Sequence, residues 1–336
     1  AVLGLGALLS KYGVSFELSP TDLTVVLDKD RCRTSTAGLE RWAVGLGGDK
    51  QPYRLEHHPG ARSSGPPVVL VHGLDSRPER MAGAARALAV AGYNVYFYRY
   101  PNDASLDATA RDLGERLTKL RRQLGRAVSV VTTSMGGVLA RVALELDPVV
   151  PEGTVDRFIA CSPPFHGSPL ARYHPLLEIP ETVRDLFTDG FQGFFPFDGL
   201  GAAGFDLLPN SRLLERLQGT SRRPDVRYTI LAGSRSIVPE ELVDAVRLGL
   251  FSALPTMRLF AEVGYQLLIE ITDAVGQVSG GHGDGAVPLD SQCLEGVTDR
   301  IVGNTSHLDC YDGDGVERPI PWLAETMARL PPIGGR

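Results

Sequence analysis

One serine lies in a local pattern that could make it a nucleophile. Ser134 follows the β-branched run from Val128 to Thr133 and precedes Met135 and two glycines, a pattern that predicts a strand, an abrupt turn and a helix. A serine at such a turn has its hydroxyl pushed out of the fold, and the N–H of Met135 could stabilise an oxyanion. The alternative is an ordinary helix start that Ser134 caps.

A serine hydroxyl is a weak nucleophile at neutral pH, so this interpretation requires a base and an acid elsewhere in the chain. The base would be a neutral imidazole within hydrogen-bond reach, oriented by a carboxylate. Seven histidines compete for this role. Two segments near the C-terminus carry these residue types: Gly281 to Pro288, with Asp284, and Asn304 to Asp309, with His307.

The elements that must position these residues alternate between apolar strands and helical patterns. Pro67 to Val71 is fully apolar and ends in His72-Gly73, as expected of a buried parallel strand. Gly73 permits a turn that leaves the N–H of Leu74 free at the carboxyl end of this strand. From Pro67 to Cys161 the order strand–helix–strand–helix–strand–helix–strand predicts a parallel sheet with right-handed crossovers.

Four segments resemble motifs of bacterial lipases and esterases of the α/β-hydrolase superfamily. Ser134-Met-Gly-Gly is similar to their nucleophile elbow but departs from it at the first glycine position, which is Thr132 here. His72-Gly73 resembles their oxyanion-loop motif. The segment with Asp284 resembles their Asp-Gly-x-Val-Pro, and the segment with His307 resembles their Asn-x-x-His-Leu-Asp. The four motifs occur in the family's order.

The resemblance implies an α/β-hydrolase fold, in which a mostly parallel central sheet is flanked by helices and carries an inserted helical cap or lid. It implies Ser134 as nucleophile, His307 as base and Asp284 as acid, with the N–H groups of Leu74 and Met135 as the oxyanion hole. Asp290 is the reserve acid. In the family's order of serine, acid and histidine, the other histidines do not fit the role of base: His57, His58, His72, His166, His174 and His282.

The resemblance and a local shift in composition together predict a substrate pocket. Six of the twelve phenylalanines lie between Phe187 and Phe205, which is typical of an apolar flap over an active site. The alternative is a small helical subdomain with its own core. Ser162-Pro-Pro-Phe-His-Gly-Ser168 resembles a stretch that lines the site in bacterial lipases. The predicted pocket residues are His72, Phe165, His166, Phe191, Phe194 and Phe195. For His72 we also expect a hydrogen-bonding role beside Leu74, with a packing histidine as the alternative.

The predicted domain organisation is one hydrolase core with insertions. Residues 1–66 form an N-terminal segment, in which Val14 to Leu18 and Thr24 to Leu27 are the first strands of a sheet and Thr34 to Pro66 is connecting structure. The core comprises residues 67–163 and 225–336, with a helical insertion at about 237–278. Residues 164–224 form the cap or lid.

Composition restricts the partners. The net charge is -6 and no basic block is present, so nucleic acid is an unexpected partner. The four cysteines lack metal-ligand spacing, although Cys293 and Cys310 could pair as a disulfide. No cofactor is expected; calcium at Asp309 is the alternative, because some lipases of this type bind it beside the histidine loop. The uncharged start, Ala1 to Leu9, indicates either the tail of a signal peptide or membrane anchor, which would make the protein exported or membrane-associated, or an apolar helix on the body of a cytoplasmic protein.

The expected function is a serine carboxylester hydrolase of lipase or esterase type that acts on acylglycerol or other fatty acyl esters. The Phe-rich segment favours fatty esters, and contact with a membrane or lipid surface is a further expectation. An acyltransferase, phospholipase or thioesterase with the same triad remains an alternative. A hydrolase fold retained as a non-catalytic binding module is the alternative from another class. The sequence leaves the oligomeric state open.

Overall fold

A seven-stranded sheet organises the part of the chain that the structure describes. The computed structural model describes residues 52–74, 76–101, 104–146, 150–173, 204, 206–236, 270, 272–313 and 319–333, and the backbone of 14–18 and 23–27. Two strands, β1 (Val14–Leu18) and β2 (Leu23–Leu27), precede those of the sheet. The sheet strands are β3 (Arg54–His57), β4 (Pro67–Val71), β5 (Asn94–Arg99), β6 (Val128–Thr133), β7 (Val155–Cys161), β8 (Arg227–Gly233) and β9 (Arg300–Gly303).

The sheet is parallel except at one edge. Its strand order is β3-β5-β4-β6-β7-β8-β9, and only the β3–β5 pair within it is antiparallel. Parallel strands need crossovers, and helices supply them here. The described helices include α1 (Ala82–Ala91), α2 (Leu106–Leu124), α3 (Met135–Arg141), α4 (Arg212–Gln218) and α5 (Leu323–Arg329), among other helical turns.

Strand β4 shows how the sheet separates two layers of core. All five of its residues are buried. Val69 and Val71 pack in one hydrophobic cluster with Leu113 of α2. The alternate residues Val68 and Leu70 pack in a second cluster with helix α1 and Trp322. Because successive side chains of a strand point to opposite faces, an uninterrupted apolar strand requires cover on both sides.

The predicted fold class and the order of elements from Pro67 to Cys161 are confirmed. The two strands predicted in the N-terminal region are present as β1 and β2, which pair with each other in a separate two-stranded sheet. The prediction of connecting structure from Thr34 to Pro66 is wrong at Arg54–His57, because this segment is β3, the first strand of the central sheet. Strand β3 has an exposed–intermediate–intermediate–exposed burial pattern, so its sequence lacks the apolar periodicity that marks inner strands.

The two predicted insertions lie largely outside the described residues. The described ends of the segment 164–224 pack on the sheet. Helix α4 begins at a Ser211 cap, whose hydroxyl accepts a hydrogen bond from the N–H of Leu214, and its apolar residues join the core cluster of α2 and β4. These ends therefore belong to the core layer, since their apolar side chains are buried there.

No helix within the described ranges has the length and apolar character needed to cross a bilayer.

Candidate active site

Ser134 occupies a strained turn between β6 and α3. Its φ of 51° and ψ of -126° lie in a region that non-glycine residues rarely adopt, at a cost of about 1–3 kcal/mol. The turn is held by the Ser134 N–H, which donates to the carbonyl of Cys161 at 2.8 Å. The side chain of Ser134 makes no capping hydrogen bond to the helix. The hydroxyl is therefore available to another partner, which is not the arrangement of an ordinary helix cap.

Close backbone approaches make room for this turn. A Cβ on Gly136 would lie 2.7 Å from the carbonyl oxygen of Val71, and one on Gly73 would lie 2.8 Å from the Cβ of Ser134. Thr132, at the first glycine position of the elbow motif, is fully buried, and the turn at Ser134 forms with a threonine at this position. The small residues on either side let the helix start pass beside the end of β4.

His307 connects Ser134 to Asp284. The Nε2 atom of His307 lies 2.9 Å from the Oγ of Ser134, and its Nδ1 lies 2.9 Å from the Oδ2 of Asp284. The main chain reinforces the pair, because the N–H of His307 donates to the carbonyl of Asp284 at 2.8 Å. Asp284 is fully buried, whereas the side chain of His307 is 16% exposed. A hydroxyl, an imidazole and a carboxylate thus stand in one row.

The charge of Asp284 controls the proton affinity of His307. Burial alone lowers the pKa of His307, but the negative charge of Asp284 and its hydrogen bond outweigh burial and raise the pKa to about 9. The other carboxylate oxygen, Oδ1, accepts the N–H groups of Ala286 at 3.1 Å and Val287 at 2.8 Å. These bonds orient the carboxylate, so the imidazole receives a fixed partner.

The two predicted oxyanion-hole amides belong to residues next to the Ser134 turn. Met135 is the first residue of α3, so its N–H has no acceptor within the helix. Leu74 is half-buried and follows Gly73, which packs closely against the Ser134 turn. The N–H groups of these two residues are the predicted donors to an oxyanion formed at Ser134.

His72 is buried beneath this turn. Its Nδ1 lies 2.9 Å from the carbonyl oxygen of Gly73, and its ring stacks on Tyr100 with centroids 4.2 Å apart. The hydroxyl of Tyr100 donates to the carbonyl of His72 at 2.6 Å. Burial lowers the pKa of His72 to about 4, against the hydrogen bond to Gly73 that raises it. A neutral, 1% exposed imidazole supports the turn and offers no surface to a pocket.

The other predicted pocket residues have different positions. The ring of Phe165 is buried against Phe158 and beneath the guanidinium of Arg141, in the hydrophobic core, and its role in a pocket stays a prediction. His166 is exposed, and its Nδ1 lies 3.1 Å from the Nε2 of Gln218. The phenylalanines of the predicted flap lie outside the described residues: Phe191, Phe194 and Phe195.

The remaining carboxylates near His307 have other partners. Asp309 accepts a hydrogen bond from the hydroxyl of Ser306 at 2.7 Å and pairs with the guanidinium of Arg235. The reserve acid Asp290 is exposed, and Asp284 is the carboxylate that contacts His307. Within the described ranges, no group of three or more histidine, cysteine, aspartate or glutamate side chains could hold a metal ion. The guanidinium of Arg235 thus pairs with Asp309, the carboxylate that was the candidate calcium ligand.

The two cysteines that could have paired are free thiols. Cys293 donates to the carbonyl of Asp290 at 2.8 Å, and Cys310 donates to the hydroxyl of Ser162 at 3.2 Å. The expected alternative of a Cys293–Cys310 disulfide is therefore not realised. Cys310 instead faces Cys161, in a buried layer behind His307.

Comparison with solved structures places this arrangement in a known fold. A scan against protein-family models and a search of curated proteins each find no match. Among solved structures, the mature form of the lipase BlEst2 from Bacillus licheniformis matches 81% of this chain and 98% of its own, with 20% identity and a TM-score of 0.51. The propeptide form of that lipase matches 85% of this chain and 55% of its own, with 18% identity and a TM-score of 0.52.

The chain has the α/β-hydrolase fold. In an α/β-hydrolase, functional residues stand on the loops at the carboxyl ends of the parallel strands. Ser134 follows β6 and His307 follows β9, so both occupy that edge of the sheet.

The sequence did not indicate the side chain that supports the loop of Asp284. Gln292 does so from eight residues downstream, and a single glutamine after a proline-containing turn carries no pattern that could have revealed it.

Proposed function

We propose that this protein is a serine carboxylester hydrolase that works through an acyl-enzyme. The observation that carries the proposal is the hydrogen-bonded row from Asp284 through His307 to Ser134, with both imidazole contacts at 2.9 Å. A neutral imidazole between a hydroxyl and a carboxylate can remove the hydroxyl proton as the oxygen attacks. The strained, uncapped turn at Ser134 supports the same role.

In the proposed mechanism, the Oγ of Ser134 attacks the ester carbonyl carbon while the Nε2 of His307 accepts its proton. Asp284 stabilises the imidazolium that forms. The N–H groups of Leu74 and Met135 donate to the oxyanion. His307 then protonates the departing alcohol, and water repeats the sequence on the acyl-enzyme. The mechanism needs no cofactor, because each proton moves between groups that already lie within hydrogen-bond reach.

Fatty acyl esters are the substrate class that we propose. The Phe-rich segment of the sequence supports an apolar acyl chain, and the matched protein from Bacillus licheniformis is called a lipase. Two apolar residues adjoin the site along the chain: Leu308 follows His307 and is 38% exposed, and the half-buried Leu74 follows Gly73. Apolar surface at these positions favours an acyl chain over a charged acyl group.

A chain-length profile tests this function. Purified protein is assayed on p-nitrophenyl esters from acetate to palmitate, on triglyceride emulsion and on acyl-CoA, with Ser134→Ala as the blank. We expect hydrolysis of medium or long esters that disappears in the blank, and labelling of Ser134 by a fluorophosphonate probe. Failure of the probe to label folded protein would contradict the proposal and favour a binding module. Activity on acyl-CoA alone would make the protein a thioesterase.

A further inference from the structure

The side chain of Gln292 is fully buried and uses every polar group that it has. Its Oε1 accepts the N–H of Gly233 at 2.8 Å. Its Nε2 donates to the carbonyl of Gly233 at 3.0 Å and to the carbonyl of Val287 at 3.0 Å. An amide has one acceptor oxygen and two N–H donors, so the side chain joins two segments of backbone with no group left over.

The first of these segments is the end of β8. Gln292 bonds to both backbone groups of Gly233, as the peptide of a neighbouring strand would, at a position beyond the last pair between β7 and β8. A Cβ on Gly233 would lie 2.4 Å from the carbonyl oxygen of Thr305 and 2.9 Å from the Cβ of Asp284. Gly233 is thus the point where two loops touch the sheet: the histidine loop, from Asn304 to Asp309, and the acid loop, from Gly281 to Pro288.

The second segment is the acid loop itself. The carbonyl of Val287 accepts from Gln292 and also from the N–H of Asp284 at 3.2 Å, and the N–H of Val287 donates to the carboxylate of Asp284 at 2.8 Å. One residue, Val287, therefore connects the Gln292 amide to the Asp284 carboxylate. Movement of Val287 would rotate the carboxylate that faces His307.

Gln292 is itself held in place. Its N–H donates to the carbonyl of Pro288 at 3.2 Å, and its carbonyl accepts from the Nε of Arg300 at 2.9 Å. The same guanidinium donates to the carbonyl of Leu289 at 2.7 Å. Because Arg300 is the first residue of β9, the sheet fixes the turn that presents the amide.

We propose that Gln292 is a positioning residue, which locks the acid loop to the end of β8 so that Asp284 stays aligned with His307. The catalytic consequence rests on the proposed function, whereas the alignment does not. The hydrogen bonds of the Gln292 side chain go to Val287 and Gly233 and to none of the three aligned residues, so its effect passes through these two residues. A displacement of about 1 Å in a reacting group can lower a rate by about a hundredfold.

The chain offers a matched control for a merely structural role. Asn94 is also a fully buried amide with three partners: its Nδ2 donates to the carbonyl of Ser63 and to the hydroxyl of Tyr96, both at 3.2 Å, and its Oδ1 lies 2.8 Å from the Nε2 of His57. It begins β5, at the opposite end of the strands from Ser134. Losing either amide should lower stability, but only one lies beside the acid loop.

The test compares Gln292→Met with Asn94→Leu, since each replacement keeps the approximate shape and removes the hydrogen bonds. The measurements are kcat and KM per fluorophosphonate-titrated site, the unfolding midpoint, and the pKa of His307 from NMR of protein with isotope-labelled histidine. For Gln292→Met we expect kcat to fall about 10–100-fold with little change in KM. We expect the pKa of His307 to fall by about 0.5–1 unit, because a loosened carboxylate attracts the proton less.

Asn94→Leu should lower the unfolding midpoint and leave both readouts at their wild-type values. The proposal is overturned if Gln292→Met behaves in the same way as Asn94→Leu. Gln292→Asn keeps the amide but is one methylene shorter, so it cannot reach both Gly233 and Val287; it should give a smaller change in the same direction, and it decides the matter if the Met variant does not fold. If no ester is hydrolysed by the wild type, the proposed function fails, and the pKa of His307 still tests the role of Gln292.

Discussion

His72 and His307 lie at the same edge of the sheet, and the pKa values of their imidazoles are shifted in opposite directions. His72 follows β4, and His307 follows β9. Burial lowers the pKa of His72 to about 4, whereas burial at His307 is outweighed by Asp284, which raises the pKa to about 9. The nearest partner of the His72 ring nitrogen is a neutral carbonyl, that of Gly73. The partner of His307 is a carboxylate.

The difference shows that burial alone does not make an imidazole a useful base. A buried imidazole without a charged partner stays neutral and serves as a packing and hydrogen-bonding group. A buried carboxylate adds an attraction for the proton that the same low-polarity surroundings strengthen. His307 can therefore accept the proton of a serine hydroxyl in its neutral form, and His72 has neither the partner nor the proton affinity to do so.

The largest expected effect follows from replacing the proposed nucleophile or the proposed base. Ser134→Ala or His307→Ala should each lower kcat by about a million-fold, because nucleophile and base act as one unit. His72→Asn retains a donor for the carbonyl of Gly73 and should cost less than about a hundredfold, the loss typical of one oxyanion-hole donor. The measurement is ester hydrolysis per folded protein. An equal loss in all three variants would contradict the division of roles between His72 and His307.

Removing the charge at Asp284 should give His307 the character of His72. In the wild type, kcat/KM should fall as the pH drops below about 9, because protonated His307 cannot accept the serine proton. In Asp284→Asn the main attraction that raises the pKa of His307 is lost, so the acidic limb should move from about pH 9 to lower pH while kcat falls about ten-thousand-fold. The pH profile of kcat/KM checks both. An unchanged midpoint in the variant would show that another group titrates.

The low pKa of His72 should be measurable in the pH dependence of the free energy of unfolding. Its folded-state pKa of about 4 lies below the ordinary 6.5, so the unfolded chain binds the proton first as the pH falls. The stabilisation from a neutral His72 is complete above pH 6.5 and is lost progressively down to about pH 4. This loss amounts to about 3 kcal/mol. Urea unfolding at several pH values should show a shallower acid decline in His72→Asn.

The exposed His282 supplies the control for that experiment. His282→Asn removes a histidine from the acid loop's neighbourhood without removing a buried one. Its stability should therefore follow the wild-type pH dependence. If both variants lose the same part of the acid decline, buried His72 is not its source.

The smallest effect is expected at Asp309, the carboxylate two residues after His307. Asp309 and Arg235 form a pair whose side chains are 38% and 50% exposed, so Asp309→Asn should lower the free energy of unfolding by about 1 kcal/mol or less. The acidic limb of the pH profile should stay in place, because Asp284 remains the partner of His307. Equal calcium independence of wild type and variant would agree with an Asp309 that serves only the ion pair.

The amino-acid sequence alone determined the alternation of strands and helices from Pro67 to Cys161, because apolar periodicity and small residues at turns are local properties. It also singled out Ser134, whose strand–turn–helix context is local. The family resemblance of the segments with Asp284 and His307 selected the partners, although His307 lies 173 residues from Ser134 along the chain. No periodicity could have connected groups so far apart.

The tertiary structure decided everything that depends on partners distant in sequence. It placed β3 at the edge of the sheet, where a strand needs no apolar pattern, and it buried Phe165 against Arg141. It brought Gln292 against Gly233, 59 residues away. It also separated the proton affinities of His72 and His307. Burial and charge act through space, so identical imidazoles acquire different chemistry only when the chain has folded.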